Sequence, residues 1–290
     1  MFPPILSKHL PVKFRKICIR MYTHERKLIH TEKLSSKSSQ QDIADALRPH
    51  FERQSPVLLK WPNIDCDAVR CWKSLDYLRM KVGEDAPCMV EIGGSYSDPN
   101  MERPEITFGD YIQYMTMFQE RYGEKGNGNE NKEEEPNSEE LVYLAQNDLL
   151  SPLHKDFELP QLCRDSSFNV GNGSLYSTML WFGPRGCVSP LHFDPLDNLL
   201  MQFVGRKTVI LFSNDDETNA WHYAGHDGQQ YNTSPIDAAN IDLETFPLFV
   251  NAPPAIECQI EPGDILYIPS KFWHHVTSLD TSISVNAWWR

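Results

Sequence analysis

The chain has 290 residues, 40% of them hydrophobic, and its 27 Lys and Arg against 40 Asp and Glu give a formal net charge of −13. A chain of this length can bury roughly three quarters of its unfolded surface, so it needs neither disulfides nor a structural metal to form a core. No apolar run reaches the roughly 20 residues that cross a bilayer, and residues 1–22 contain no hydrophobic signal core. We therefore expect a soluble intracellular protein of one large or two small domains, whose seven cysteines are reduced because none forms a C-x-x-C pair.

The net charge combines two unlike parts of the chain. Residues 1–40 carry nine basic and two acidic side chains, for +7, whereas the other 250 residues carry 18 basic and 38 acidic ones, for −20. We predict that residues 1–40 form a flexible basic arm, with a mitochondrial transit peptide and a nuclear-type tail as functional alternatives. The acidic body disfavours direct nucleic-acid binding and suits a basic protein or peptide as partner. The expected location is nuclear or cytoplasmic, with mitochondria as the alternative, and the sequence leaves the oligomeric state open.

The next region, residues 41–174, mixes helical and strand patterns. Apolar spacing predicts helices over 42–54, 76–82 and 107–122, and extended segments over 56–60 and 88–92. The stretch 123–140 has many charges and no apolar residue, which is typical of a disordered surface loop. We expect this region to support the second half of the chain.

Residues 175–290 carry short apolar segments separated by turns. The predicted strands cover 175–182, 187–191, 198–204, 207–212, 257–260, 265–268 and 282–288. Residues 205–206 and 261–264 have the composition of hairpin turns. This half is therefore predicted to form a β-barrel or sandwich, with an irregular excursion over 214–254 that is a candidate lid on length alone.

A histidine and an aspartate two residues apart end the second strand of this half. His192 and Asp194 stand in SPLHFDPLDN, and residues i and i+2 of a strand point to the same face, so both can bind one ion. His274 opens a further strand in IPSKFWHHV. Two neutral imidazoles and one carboxylate on one side of an ion form the facial triad of non-haem Fe(II) enzymes, which leaves positions open for oxygen chemistry.

Lys207 follows the predicted turn at 205–206 and precedes the apolar run 208–212. A lysine at this point can aim inward and pair with a dicarboxylate as a point charge. An exposed hairpin lysine is the ordinary alternative. Because His192 and Asp194 precede it in the same half of the chain, we favour the inward orientation of the Lys207 side chain.

Several motifs in order resemble the JmjC family of 2-oxoglutarate oxygenases, in particular its small hydroxylases. They are WFGPRGCVSPLHFDPLDNLLMQFVGRK from Trp181, ECQIEPGDILYIPSKFWHHV from Glu257 and SISVNAWW from Ser282, together with VEIGGSY, YLAQNDLL and NIDLETFPLF. The resemblance runs from about residue 42 to Arg290. It implies a mainly β fold with flanking helices, in which residues 175–290 form a double-stranded β-helix of the jelly-roll, cupin-like type.

The resemblance also implies the cofactors and the residues that hold them. It places Fe(II) on His192, Asp194 and His274, with His275 standing where relatives usually carry tyrosine. Because side chains alternate along a strand, only one of the two adjacent histidines can face the iron. The implied cosubstrates are O₂ and 2-oxoglutarate, the latter held by Lys207, Tyr143, Ser189 and Asn198. A core tyrosine and an ordinary strand-end serine are the alternatives for two of these four.

For the substrate, the resemblance implies a protein hydroxylase, a 2-oxoglutarate-dependent dioxygenase that acts on arginyl side chains. Glu91 is then the expected guanidinium anchor, since a carboxylate accepts a bidentate pair from arginine. Three aromatic residues are candidate pocket walls, with core packing as the alternative for each: Tyr96, Trp181 and Trp288. A tryptophan that relatives place just after the equivalent of Tyr96 is missing here, where Met101 is nearest.

Two other functions remain open at this point. A methyl-lysine demethylase of the same family would place methylammonium in an aromatic cage. A non-catalytic JmjC co-regulator of transcription or chromatin would use the fold for binding only, although the triad and Lys207 together favour an enzyme.

Overall fold

The described part of the chain is mainly β-structure with a few short helices. A computed structural model describes residues 26–61, 64–93, 102–123, 136–214, 221–224 and 231–290. The α-helices are α1 (Gln40–Glu52), α2 (Asp67–Cys71), α3 (Leu75–Val82) and α4 (Phe108–Tyr122). Single turns of 3₁₀-helix occupy Ser138–Glu140, Leu153–Lys155, Gln161–Cys163, Ser166–Phe168 and Pro247–Asn251.

Fifteen strands lie in the described residues. Seven precede residue 175: β1 (Lys27–Leu28), β2 (His30–Lys33), β3 (Val57–Lys60), β4 (Pro87–Met89), β5 (Glu91–Ile92), β6 (Glu105–Thr107) and β7 (Val142–Asp148). Eight follow it: β8 (Leu175–Gly183), β9 (Val188–His192), β10 (Asp197–Val204), β11 (Lys207–Phe212), β12 (Ile256–Ile260), β13 (Ile265–Ile268), β14 (Trp273–Ser278) and β15 (Ser282–Trp289).

The last eight strands divide equally between two sheets. The small sheet has the order β1-β12-β11-β14-β9 and the large sheet the order β2-β3-β13-β10-β15-β8-β7-β5, while β4 and β6 pair separately. Within each sheet β8 to β15 are antiparallel neighbours. Two four-stranded sheets connected in this way form a jelly roll. The predicted double-stranded β-helix fold is therefore confirmed.

The core lies in layers on both sides of the large sheet. Leu200 and Leu266 of the large sheet pack against Val209 and Val276 of the small sheet in the barrel interior. The outer face of the large sheet buries a larger apolar cluster with the helices, in which Leu47 of α1 and Tyr111 of α4 take part. Burial of this kind contributes roughly 25 cal/mol per Å² of apolar area. The helices thus fix the sheet whose inner face carries part of the site.

The helix starts follow from their capping residues. Ser39 caps α1, because its hydroxyl accepts a hydrogen bond from the Asp42 backbone N–H while the Asp42 carboxylate accepts one from the Ser39 backbone N–H. The helix therefore begins at Gln40, two residues earlier than the apolar spacing predicts. Thr107 caps α4 in a similar way through the Asp110 backbone N–H.

The end of the predicted basic arm differs from expectation. Residues 1–25 lie outside the described part of the structure, but β1 pairs in parallel with β12 and β2 pairs in parallel with β3. Residues 26–33 are therefore attached to both sheets, which corrects the prediction of a flexible arm for this stretch. The reason is that exposed sheet edges offer unpaired N–H and C=O groups that a polar segment can satisfy.

One other segment departs from its sequence pattern, and two predicted irregular segments are described only in part. The predicted extended segment 88–92 is split, because β4 pairs with β6 whereas β5 pairs with β7. Of the predicted loop 123–140, residues 124–135 lie outside the described residues. Of the predicted excursion 214–254, residues 231–254 pack on the outer face of the small sheet through Ile236 and Phe249. No helix in the described ranges is long and apolar enough to cross a membrane.

Candidate metal centre

Two histidines face each other across neighbouring strands of the small sheet. His192 ends β9 and His274 lies near the start of β14, and the two residues are direct partners in the antiparallel register. Directly opposed residues place their side chains on the same face, and the imidazole centroids are 4.1 Å apart. Strand pairing therefore joins residues that are far apart in the chain.

Asp194 completes this cluster from the segment that follows β9. Its Oδ1 lies 4.0 Å from His192 Nε2 and its Oδ2 lies 3.7 Å from His274 Nε2. One ligand atom from each of the three residues falls within 4.8 Å of the others, and the group is one that could hold a metal ion. The backbone carbonyl of Asp194 accepts a hydrogen bond from the Lys271 N–H at 2.6 Å, which fixes this segment beside β14.

The imidazole orientations fit a metal ion. His192 Nδ1 lies 2.7 Å from the Pro190 carbonyl oxygen, and His274 Nδ1 lies 2.9 Å from the Phe272 carbonyl oxygen. A carbonyl can only accept, so each Nδ1 carries the proton and each Nε2 presents a lone pair toward Asp194. Burial and then the neighbouring His192 hold the pKa of His274 below its ordinary value. The His274 ring is therefore neutral, as a metal ligand must be.

Two N–H groups hold the Asp194 carboxylate. Trp288 donates its indole N–H to Oδ2 at 2.9 Å, and the Asn198 side-chain amide donates to the same oxygen at 3.3 Å. Both donors stabilise the ionised carboxylate and leave Oδ1 for other contacts. Asn198 and Trp288 reach this carboxylate from β10 and β15 of the large sheet. The centre is thus assembled between the two sheets.

Lys207 lies in the same cavity with its ammonium group fully buried. Its side chain points inward from the first position of β11, the residue itself is 2% exposed, and its Nζ donates a hydrogen bond to the Tyr143 hydroxyl at 3.2 Å. Burial lowers the pKa of Lys207 to about 8. No carboxylate of the described residues forms an ion pair with it. A buried cation without a counterion is a good site for an anion.

The cavity is partly open to solvent and has a volume of about 30 Å³. Nine of the residues predicted to form the site line it: His192, Asp194, His274, Lys207, Tyr143, Ser189, Asn198, Trp181 and Trp288. The metal-binding group and the buried ammonium therefore share one pocket. Tyr143 and Trp288 are 145 residues apart in the chain, and the pairing of strands in the two sheets brings both to this cavity.

Glu91 lies beside this cavity rather than in its wall. It pairs with Tyr143 across β5 and β7, so the two side chains project from the same face. The residue is 5% exposed, and burial raises the pKa of its carboxyl group. The Arg103 guanidinium lies 3.4 Å from Glu91 Oε1, an atom with no hydrogen bond in the described part of the chain. The carboxylate is thus already close to one guanidinium.

The remaining residues named in the sequence analysis do not contribute to the described cavity. His275 points away from the cavity toward Asp237, with its Nε2 at 3.5 Å from the Asp237 carboxylate, so His274 is the histidine that faces Asp194. Tyr96 and Met101 lie outside the described residues, and their predicted neighbourhood is therefore left as a prediction.

Sequence reasoning missed Asn286 and the second role of Trp288. Asn286 lines the cavity, its Oδ1 accepts the Trp181 indole N–H at 2.7 Å, and its Nδ2 is buried without a hydrogen bond in the described structure. The signal was present, since Ser282, Ser284, Asn286 and Trp288 alternate with apolar residues along β15. Polar residues at every second position of a buried strand indicate a polar interior.

The jelly roll and its cluster define the class of this protein as a double-stranded β-helix protein with a metal-binding group of two histidines and one carboxylate. A family model described as the cupin-like domain matches residues 44–290. The chain belongs to this cupin-like family and is a JmjC-domain protein, in agreement with the resemblance seen in its motifs.

Three curated relatives are similar over most of the chain. "Lysine-specific demethylase JMJ30" of Arabidopsis thaliana is 32% identical over 89% of this chain and 55% of its own length. "Jumonji C domain-containing protein 5" of Drosophila melanogaster is 33% identical over 82% and 55%, and "Lysine-specific demethylase 8" of Danio rerio is 36% identical over 74% and 48%. The chain thus spans about half the length of the curated relatives it matches.

Proposed function

We propose that this protein is an Fe(II)- and 2-oxoglutarate-dependent protein hydroxylase that acts on arginyl residues of a basic protein. The observation that carries the proposal is the presence of the His192, Asp194 and His274 group and the buried Lys207 ammonium in one cavity. A facial triad leaves coordination positions open, and an unpaired buried cation favours a carboxylate-bearing cosubstrate. Each feature alone has several uses, but their combination fits this chemistry best.

The metal ligands would be His192, Asp194 and His274. Bound Fe(II) supplies the coupling of 2-oxoglutarate decarboxylation to the oxidation of a substrate C–H bond by O₂. Pro190 and Phe272 orient the imidazoles through their carbonyl oxygens, and Trp288 and Asn198 orient the carboxylate. These contacts hold the ligand atoms near their working positions before a metal binds, which lowers the cost of ordering them.

The anion site would be formed by Lys207 with Tyr143. The Lys207 ammonium pairs with the far carboxylate of 2-oxoglutarate, while the Tyr143 hydroxyl, which accepts the Lys207 N–H, donates its own proton to the same anion. Ser189 and Asn198 line the same cavity and add polar groups. Apolar neighbours such as Val276 exclude water, and the charge pair is stronger in this setting than in bulk solvent.

The substrate class is inferred from Glu91 and from the charge of the chain. Glu91 is a buried carboxylate whose Oε1 lies 3.4 Å from the Arg103 guanidinium, and this contact supports an arginyl side chain as the group that it would bind. The chain outside residues 1–40 carries a formal charge of −20 and favours a basic partner. Trp181 and Trp288 offer ring surface at the cavity. A nuclear or cytoplasmic location, with no direct nucleic-acid binding, accompanies this proposal.

A methyl-lysine demethylase is the second candidate. The specific observation that favours it is that two of the relatives similar to this chain are named lysine-specific demethylases. The chain's own cavity does not separate the two candidates, because Trp181 and Trp288 line it for either cation. Their indole N–H groups are bonded to Asn286 and Asp194.

The test is a peptide assay read by mass. The protein is loaded with Fe(II) under anaerobic conditions and then given O₂, 2-oxoglutarate and a library of Arg-, Lys- and methyl-Lys-containing peptides. Gain of one oxygen on arginine with release of succinate supports arginyl hydroxylation, and loss of a methyl carbon from methyl-lysine supports the demethylase instead. If no succinate is released under any condition, both enzymatic functions are refuted, and a non-catalytic co-regulator is the remaining hypothesis.

Matched variants connect the outcome to the site. Asp194→Ala should abolish succinate release, because a carboxylate ligand is lost. Asp148→Ala removes an exposed carboxylate at the end of β7 and should retain the activity of the parent. Activity that survives Asp194→Ala at the parental rate would contradict the assignment of the metal ligands.

A further inference from the structure

A second group of two histidines and one carboxylate lies outside the cavity described above. His30 and Glu32 belong to β2, and His50 belongs to the last turn of α1. One ligand atom from each of these residues lies within 4.8 Å of the other two, so the group could hold a metal ion. Nothing in the proposed reaction uses these three residues.

The local structure explains how they meet. His30 and Glu32 are two residues apart on one strand, so their side chains project from the same face. The strand β2 pairs in parallel with β3 at the edge of the large sheet, and α1 leads into β3 through a short turn. The end of α1 therefore lies over β2, and the His30 and His50 rings are 4.8 Å apart between centroids.

The three side chains differ in burial. His50 is 7% exposed, whereas the side chains of His30 and Glu32 are 58% and 44% exposed. The Ser55 hydroxyl lies 3.3 Å from His50 Nδ1 and can donate to or accept from that nitrogen, so His50 Nε2 can serve as the ligand atom in the tautomer protonated on Nδ1. His30 Nε2 lies 2.7 Å from Glu32 Oε1. An exposed pair of this kind contributes little to stability by itself, and it does not account for the buried third imidazole beside it.

We propose that His30, Glu32 and His50 form a second metal site, selective for zinc or a similar borderline divalent ion. Two imidazoles and one carboxylate are a common zinc ligand set, with ligand bonds of roughly 2.0 to 2.2 Å and a fourth position left to water or another ligand. Tetrahedral bonds of that length separate ligand atoms by roughly 3.3 Å. The proposal requires side-chain rotations that bring ligand atoms now within 4.8 Å of one another to that spacing, and the side chains of His30 and Glu32 are 58% and 44% exposed.

The surroundings suggest what fills the fourth position. Lys27 and Arg53 line the cavity next to the three ligands. These two positive charges repel a divalent ion that carries no anion. They favour binding of the ion together with an anionic ligand, such as chloride or a carboxylate. The site is therefore suited to a metal ion that carries an anion toward solvent.

The consequence of metal binding is mechanical. The strand β2 is held by its pairing with β3, and its side chains are mostly exposed, so it belongs to the part of the fold that opens most easily. A zinc ion that joins β2 to α1 would couple the opening of this strand to loss of the metal. Residues 26–33 would then be fixed to the body of the protein in a zinc-dependent way.

The experiment measures zinc stoichiometry and amide exchange on the full chain. In this test the metal-free chain is loaded with zinc alone, so that zinc can fill both groups, and is then dialysed to remove loosely bound ions. The parent should retain about two zinc ions per chain, and His30→Gln or Glu32→Gln should retain about one. Zinc should also slow hydrogen exchange of the amides of residues 30–33 in the parent and in Asp194→Ala, but not in His30→Gln or Glu32→Gln. Both substituted side chains are largely exposed, so neither variant is expected to misfold.

A matched control is His154→Gln, which removes an exposed histidine from a different part of the chain. It should keep both the zinc stoichiometry and the exchange protection of the parent. Equal zinc content in the parent and in Glu32→Gln would overturn the proposal, as would exchange at residues 30–33 that does not respond to zinc in the parent. Neither outcome bears on the peptide assay, so failure here is distinct from failure of the proposed function.

Discussion

Replacing Lys207 by methionine tests the buried anion site through stability as well as through binding. Burial lowers the pKa of Lys207 from its ordinary 10.5 to about 8. Each tenfold change in an acid constant is about 1.4 kcal/mol, so a charged Lys207 costs the folded protein about 3 kcal/mol. The lost hydrogen bond to Tyr143 offsets about 1 kcal/mol of the gain. We therefore expect Lys207→Met to be more stable than the parent by about 2 kcal/mol at pH 7.

The pH dependence of this difference has a defined sign. Below pH 8 the side chain is charged in the folded and the unfolded protein, and the whole cost of burial is present. Between pH 8 and pH 10.5 the unfolded chain binds more protons at this position than the folded one, so the stability of the parent rises with pH. The advantage of Lys207→Met should therefore shrink through this window, and other titrating groups cancel in the comparison.

The assay is urea unfolding of the metal-free proteins at pH 7 and near pH 10, followed by fluorescence of the seven tryptophans. Lys73→Met serves as the control, since Lys73 is exposed and its replacement should change stability little at either pH. A Lys207→Met variant that is less stable than the parent at pH 7 would refute the argument from burial.

The cosubstrate should reverse the order of stability. A ligand present at about 100 times its Kd stabilises the folded state by about 2.7 kcal/mol. With metal and 2-oxoglutarate under anaerobic conditions, the parent should gain this amount and Lys207→Met should not. If 2-oxoglutarate stabilised both proteins equally, Lys207 would not be part of the anion site, whatever the difference in stability without ligand.

Three further predictions concern the metal and the substrate. Trp288→Phe keeps a ring but removes the N–H bond to Asp194, and metal affinity in a dye competition assay should fall about 10- to 100-fold. Glu91→Gln should raise KM for an arginyl peptide more than it lowers kcat, whereas Arg103→Ala should lower KM, because the competing guanidinium is removed. Raising the salt concentration from about 0.05 to about 0.5 M should raise KM for a basic peptide but leave KM for the buried 2-oxoglutarate site nearly constant.

Two control variants distinguish these changes in metal affinity and KM from a general loss of folded protein. Trp221→Phe removes a buried indole N–H that has no hydrogen bond among the described residues, and it should leave metal affinity unchanged. Glu52→Gln removes an exposed carboxylate and should leave KM unchanged. Unaltered metal affinity in Trp288→Phe, a rise of KM in Arg103→Ala, or one salt dependence shared by peptide and 2-oxoglutarate would each count against the corresponding argument.

Much of the fold was predictable because its strands carry strong local patterns. The seven strands predicted after residue 174 all occur, with ends that differ by at most one residue, and the motif resemblance indicates their jelly-roll connection. The sequence predicted less well which strands pair with each other. The polar strand β2 has little apolar pattern, and its place at the sheet edge depends on unpaired groups of β3. The division of residues 88–92 between two partners also has no signal in the segment itself.

The sequence by itself determined which chemistry was available, because residue types and short spacings on a strand are local properties. His192 and Asp194 two residues apart, and the polar alternation along β15, are of this kind. Only the tertiary structure decided that His274 rather than His275 faces Asp194, that Trp288 holds that carboxylate, and that the Lys207 ammonium is buried in the same cavity. These facts depend on register and on packing between two sheets, which join residues that no local pattern relates. The group of His30, Glu32 and His50 was invisible in the sequence for the same reason, since a helix end and a sheet edge meet only in the folded chain.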